Sequence, residues 1–139
     1  KYFIALPLST AVPSLGEKAF FECRNLQRIE FEDDSQLQKI DKEALESTSI
    51  ECIRIPSEVT IIGERAFYKC KNLQRIEFED DSQLQKIVKE AFKSASIEYI
   101  KIPSEVTIIG ERAFSECEKL QRIEFADNSK LQKIDKKVF

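Results

Sequence analysis

An α/β solenoid, with a parallel sheet along one side and short helical turns along the other, is the fold class that three observations on the sequence predict. The chain repeats with a period of 47 residues, each period holds two versions of one shorter motif, and the apolar spacing changes within that motif. Self-similarity at a fixed period of this order marks coils that stack on one another. Val59 to Phe92 and Val106 to Phe139 agree at 24 of 34 aligned positions, and Val12 to Leu45 follows the same pattern. Phe20, Phe67 and Phe114 stand in register, as do Cys23, Cys70 and Cys117, and Leu37, Leu84 and Leu131.

Within a period, a longer unit runs from Val59 to Gln83 and a shorter one from Leu84 to Glu105. Both carry an I-x-x-x-A-F segment followed by an L/I-x-x-I-x-F/I segment. In Leu73-Gln74-Arg75-Ile76-Glu77-Phe78 the apolar residues end in strict alternation, which suits a short strand with one buried face. In Gly63-Glu64-Arg65-Ala66-Phe67-Tyr68-Lys69 the glycine suits a tight turn and Ala-Phe the buried side of one helical turn. Pro56 and Pro103 end the strands of the short units and let the chain turn away. The whole chain, 1–139, reads as one array. Residues 1–11 form a degenerate partial unit, and 12–58, 59–105 and 106–139 are successive double units, the last incomplete. In the opening segment Phe3, Leu6 and Leu8 take the slots of Ile50, Ile53 and Ile55. No unit can bury its apolar face alone, so stacking must make the core. Three phenylalanine ladders are expected in it: Phe20/Phe67/Phe114, Phe31/Phe78/Phe125 and Phe92/Phe139.

Composition narrows the function. With 42% hydrophobic and 34% charged residues, the 139-residue chain can bury a core and stay soluble. A net charge of -3 leaves no basic footprint, which argues against nucleic acid as a partner. There is no histidine, so no Ser-His-Asp or Cys-His nucleophile can be assembled. No apolar run approaches the roughly 18–20 residues that cross a bilayer, so no membrane insertion is expected of this segment. Tyr2 to Leu6, ending at Pro7, is too short for a signal core. Methionine is absent, and the chain reads as a piece of something longer.

The segments I-P-S-E-V-T-I-I-G-E-R-A-F (Ile102 to Phe114) and A-F-Y-K-C-K-N-L-Q-R-I (Ala66 to Ile76) resemble the BspA-like, or Treponema-type, leucine-rich repeats. The resemblance covers nearly the whole chain after its degenerate opening. It implies a leucine-rich-repeat horseshoe, with the sheet on the concave face and the helical turns on the convex face. It also implies a cell-surface or secreted parent that adheres to a host or matrix protein, or to another microbial surface protein.

Cys23, Cys70 and Cys117 recur two coils apart, roughly 10 Å from one another at about 4.8 Å per strand. A disulfide needs Cα atoms within about 7 Å, so these three are expected to be inert buried thiols. Cys52 takes an outward strand slot between Arg28 and Arg75, whose charges favour the thiolate, and is expected to be the one readily modified thiol.

Outward strand positions form columns. One runs Pro7, Glu30, Arg54, Glu77, Lys101, Glu124, with sign alternating from Glu30 onward; a second runs Ala5, Arg28, Cys52, Arg75, Tyr99, Arg122. A third runs Ile4, Gln27, Glu51, Gln74, Glu98, Gln121. Opposite charges on adjacent strands contribute roughly 0.2–1 kcal/mol per pair. Tyr99 stands between two arginines, where cation–π contact is available. Arg28, Arg75, Tyr99, Lys101 and Arg122 are therefore the candidate binding residues of the strand-lined face, whose Arg-Tyr-Arg centre is of residue types enriched at interaction hot spots. The triplets Glu32-Asp33-Asp34 and Glu79-Asp80-Asp81 read as solvated turns, not a calcium loop. No catalytic residue, metal or cofactor is expected.

Two other functions stay open on the sequence. A self-complementary charge ladder suits a structural spacer in a surface stalk, and unpaired thiols without a visible export signal suit an intracellular scaffold. Coils left open at the two ends of the chain lead to an expectation of end-to-end self-association.

Overall fold

The computed structural model describes residues 12–139, together with the backbone of residues 2–6. Twelve strands are described, and every pairing among them is parallel. In chain order they are β1 (Tyr2–Leu6), β2 (Ser14–Leu15), β3 (Leu26–Phe31), β4 (Lys39–Ile40), β5 (Cys52–Ile55) and β6 (Ile61–Ile62). There follow β7 (Arg75–Phe78), β8 (Lys86–Ile87), β9 (Tyr99–Ile102), β10 (Ile108–Ile109), β11 (Arg122–Phe125) and β12 (Lys133–Ile134). Each coil contributes one longer strand and one two-residue strand. The two-residue strands stack into an unbroken six-stranded sheet in the order β12-β10-β8-β6-β4-β2. The longer strands form a four-stranded sheet, β11-β9-β7-β5, and a separate pair, β1-β3. The solenoid therefore has two strand-lined sides, and the second was not expected from the sequence.

The expected helical turns are absent: no helix occurs among the described residues, and the side opposite the longer strands is built from repeated turns. Their hydrogen bonds give the reason. In the turn around Phe67, Ala66 and Tyr68 donate N–H to the Gly63 and Arg65 carbonyls of their own coil, at 3.2 and 3.1 Å. The intervening Arg65, Phe67 and Lys69 donate instead to Lys89, Ala91 and Lys93 of the next coil, at 3.1, 2.8 and 3.0 Å. A helix would consume these donors internally and leave none for stacking. Alternation requires a left-handed residue every fourth position: Arg65 and Lys69 have φ of 55° and 56°, and Glu43/Ser47, Glu90/Ser94 and Arg112/Glu116 repeat the arrangement. A left-handed residue costs roughly 1–2 kcal/mol when it carries a side chain. The inter-coil bonds offset that cost.

Gly63 and Gly110 serve space, not a tight turn, since no glycine has positive φ. A Cβ at Gly63 would lie 2.8 Å from the Asp41 carbonyl carbon and 2.8 Å from the Ile40 oxygen; at Gly110 it would lie 2.7 Å from the Lys89 nitrogen. The long coil sits tight on the short coil before it, and Gly63 N–H donates to Ile40 O at 2.7 Å.

The core runs along the solenoid axis, with Phe67, Phe92 and Phe114 fully or almost fully buried. The rings of Phe67, Phe92, Phe114 and Phe139 form one stack, with centroids 5.1, 5.4 and 6.3 Å apart. Two of the expected ladders are thus a single one, because long and short coils place their ring at the same height. The Phe31/Phe78/Phe125 ladder is only partly core: Phe31 and Phe78 pack against it half-buried, and Phe125 is 39% exposed. In β1, Phe3 pairs with Arg28 and Ala5 with Glu30. Both sit two residues from their expected registers. Such a shift preserves the faces of a strand, so alternation could not detect it. Pro7 and Leu8 lie outside the described residues, as does most of the 1–11 partial unit.

Candidate recognition face

The outward columns are assembled by β5, β7, β9 and β11. Register places Cys52 opposite Arg75, Arg75 opposite Tyr99, Tyr99 opposite Arg122, Arg54 opposite Glu77 and Lys101 opposite Glu124. Below them the third column is joined by backbone bonds from coil to coil. Glu51, Gln74, Glu98 and Gln121 each donate N–H to the residue before them in the column, the first to Gln27, at 2.9–3.3 Å.

Charges pair differently from the expected cross-strand ladder. Each arginine of the second column turns to the glutamate two residues along its own strand: Arg28 to Glu30, Arg75 to Glu77 at 3.2 Å and Arg122 to Glu124 at 3.8 Å. Only Lys101–Glu124, at 3.9 Å, bridges adjacent strands, and Arg54 has no ion pair among the described residues. Period-two geometry puts both partners on one face, and a long guanidinium reaches along its own strand as easily as across. Tyr99 receives one arginine of the expected two. The Arg122 guanidinium carbon lies 4.6 Å from its ring centroid, and its hydroxyl donates to Glu124 Oε2 at 3.0 Å. Tyr99, Arg122, Glu124 and Lys101 thus form one connected group at β9 and β11.

The sheet opens at regular intervals. β5 pairs with β7, and β9 with β11, over four residues each, but β7 and β9 pair only at Arg75 and Tyr99. β3 and β5 do not pair as strands at all. Proline is the cause. Where long coils continue past the strand, Glu79 N–H donates to Ile55 O and Ala126 N–H to Ile102 O, at 3.1 and 3.0 Å. The short coils have Pro56 and Pro103 in the same positions, and proline has no N–H to give to the long coil before it. A groove of about 920 Å³ lies at the β7–β9 opening, and one of about 490 Å³ at the β3–β5 opening. Their linings correspond at 47 residues: Ile29 to Phe31 recurs as Ile76 to Phe78, Cys52 as Tyr99, and Arg54 as Lys101.

The cysteines divide two and two. Cys70 is fully buried and donates its thiol to Leu45 O at 3.1 Å, and Cys117 donates to Phe92 O at 3.0 Å. Burial pushes both thiols up to about 11. Cys52 is exposed, as expected, but so is Cys23. The carbonyl that Cys70 and Cys117 meet belongs to the preceding coil, and no described coil supplies one to Cys23. Burial at this repeat position comes from stacking, which the residue type does not guarantee.

Sequence reasoning missed a second charge ladder, on the turn side. The left-handed residues Lys18, Glu43, Arg65, Glu90 and Arg112 stack with alternating sign, at 3.5 Å for Lys18–Glu43 and 3.9–4.0 Å thereafter. Arg65 also meets Glu46 at 3.1 Å and lies 4.1 Å from the Tyr68 ring centroid. Burial raises the Glu46 carboxyl above its usual range, against the pull of Arg65. Sign alternation in aligned repeat positions, the signal used for the strand columns, was available here too.

The profile of the BspA type leucine rich repeat region matches in six copies, over residues 3–120 and 85–139. The chain belongs to the BspA-type leucine-rich-repeat family. Its fold is similar to that of the pneumococcal vaccine antigen PcpA, with a TM-score of 0.87 and 27% identity over 91% of this chain and 31% of that one. It also resembles a leucine rich cell surface protein from Faecalibacterium prausnitzii, with a TM-score of 0.59 and 22% identity over 90% of this chain and 48% of the other. This BspA-type chain therefore spans less than half the length of either structure. No curated protein matches it in sequence. Among its described residues no helix is long and apolar enough to cross a membrane.

Proposed function

We propose that the chain is a non-catalytic protein-recognition segment of a bacterial-type surface protein, binding through the face lined by β3, β5, β7, β9 and β11. The observation that carries this reading is the connected group of Tyr99, Arg122, Glu124 and Lys101. An aromatic ring and two cations are held there by mutual contacts on an outward sheet surface. Groups held in advance lose less freedom on binding. The surface location is supported by structures of similar fold, one of them named a cell surface protein and the other a vaccine antigen. Arg28, Arg75, Tyr99, Lys101 and Arg122 are the residues that carry binding on this reading, and the partner is a host or matrix protein or a microbial surface protein.

The in-strand pairs Arg28–Glu30 and Arg75–Glu77 favour a second reading, in which the coils are a spacer and their charges serve one another. Immobilised chain, exposed to host-cell surface and matrix extracts, tests the two beside a variant with Arg75, Tyr99 and Arg122 all changed to Ala. A protein retained by the native chain and lost by the folded variant is expected. Equal retention by both, or none by either, transfers the role to the spacer.

A further inference from the structure

We propose that each groove in the strand-lined face takes one extended polypeptide segment carrying lysine or arginine, one segment per 47-residue period. This rests on the recognition reading above and names the partner's chemistry at that face.

Three observations lead there. The grooves are a built feature, because both occur where a long coil meets the short coil after it, and at that junction proline removes a ladder donor. Strand residues such as Ile76 to Phe78, Tyr99 and Lys101 form one part of the walls, and the turns that follow the strands form the rest. Beyond Arg75 and Tyr99, neither β7 nor β9 has a ladder partner across the gap. An extended chain is the ligand that presents backbone donors and acceptors along its length to such edges. Charge then selects the chain. Carboxylates outnumber cations five to two in the larger lining and four to two in the smaller. Within the larger groove Glu77 and Glu105 already face Arg75 and Lys130, while Lys101 faces Glu124. Asp80 and Asp81 have no ion pair among the described residues, and Asp80 lines both grooves. The uncommitted charge is thus mainly negative, and the turn that follows β7 carries it. Complementary charge gives orientation and salt dependence to such binding.

The test uses the 139-residue chain and two fluorescent octapeptides, one alternating Lys and Thr and the other Glu and Thr. The Lys–Thr peptide is expected to bind with more than one equivalent per chain, more weakly as salt rises, and the Glu–Thr peptide at least 10-fold more weakly. Asp80→Asn with Asp81→Asn is expected to weaken the Lys–Thr peptide at least fivefold. Asn is chosen because Asp81 has φ of 59°, which Asn tolerates. Glu17→Gln with Glu118→Gln, a charge-matched pair outside both linings, leaves binding unchanged. Unchanged thermal unfolding establishes that the Asp variant is folded.

Equal binding of the two peptides, equal loss in the charge-matched control, or binding of neither peptide overturns the proposal. A partner captured from extracts and lost with Arg75, Tyr99 and Arg122 replaced, yet kept by the Asp80/Asp81 variant, leaves the recognition face standing and removes the groove as its site.

Discussion

At Cys70 and Cys117 the side chain is the one the repeat demands, and its chemistry is set by the neighbouring coil. Each thiol meets a carbonyl from the coil before it, and burial holds it protonated up to about pH 11. A thiol whose folded pKa lies above its unfolded value binds its proton more tightly in the native state. Stability from this source is complete below about pH 9 and falls as pH rises toward 11. Unfolding by denaturant between pH 8 and 11 should therefore show a decline that is shallower in Cys70→Ala with Cys117→Ala. An identical slope in that variant would show that these two thiols do not carry the decline. The residue scale also shows where reading by type fails. Cys23 has the same place in the repeat as Cys70 and is exposed.

Long and short coils differ in how closely they approach their neighbours, and that difference belongs to the element. The long coil lies so close to the short coil before it that a methyl group at Gly63 or Gly110 would overlap backbone. Gly63→Ala and Gly110→Ala should each cost about 1–3 kcal/mol, the range of an overpacked site. Gly16→Ala should cost much less, because nothing lies within 4 Å of its Cβ position. Denaturant titration of the three single variants measures this, and equal losses would show that backbone freedom matters more than space. On the opposite flank the long coil and the next short coil separate at Pro56 and Pro103, and the grooves follow. Phe31 and Phe78 are half-buried for the same reason, since each stands at the edge of an opening.

Across the whole molecule, the unit that can be removed is the pair of coils. Deleting 59–105 joins one complete period to the next and should leave a folded, shorter solenoid with a lower Tm, because stability in such arrays sums over neighbouring contacts. Deleting 84–105 alone places a long coil on a long coil. It loses the Ile87 and Lys89 backbone against which Gly110 is fitted, so it should destabilise the fold more than removal of the full period does. Circular dichroism with thermal melting compares the two. A higher Tm for the shorter deletion would mean that coils stack without regard to type.

Much of this architecture is legible in the residues. The period of 47 gave the alternation of long and short coils, Leu73 to Phe78 gave the strand and its buried face, and the outward columns from β5 to β11 were read in the register observed. Such patterns are local or strictly periodic, so a single chain displays them. Helical turns were expected at Ala66-Phe67 because adjacent apolar residues fit one helical face as well as they fit an inter-coil ladder. Nothing local distinguishes a donor satisfied within its own coil from one satisfied in the next. For the same reason the pairing of Arg75 with Glu77, the exposure of Cys23 and the opening at Pro103 were decided only by tertiary structure. Sequence by itself determined that the chain is a stack of alternating long and short coils in a BspA-type array. Stacking distance and the missing proline N–H, which exist only between coils, decided where the face is closed and where it is open.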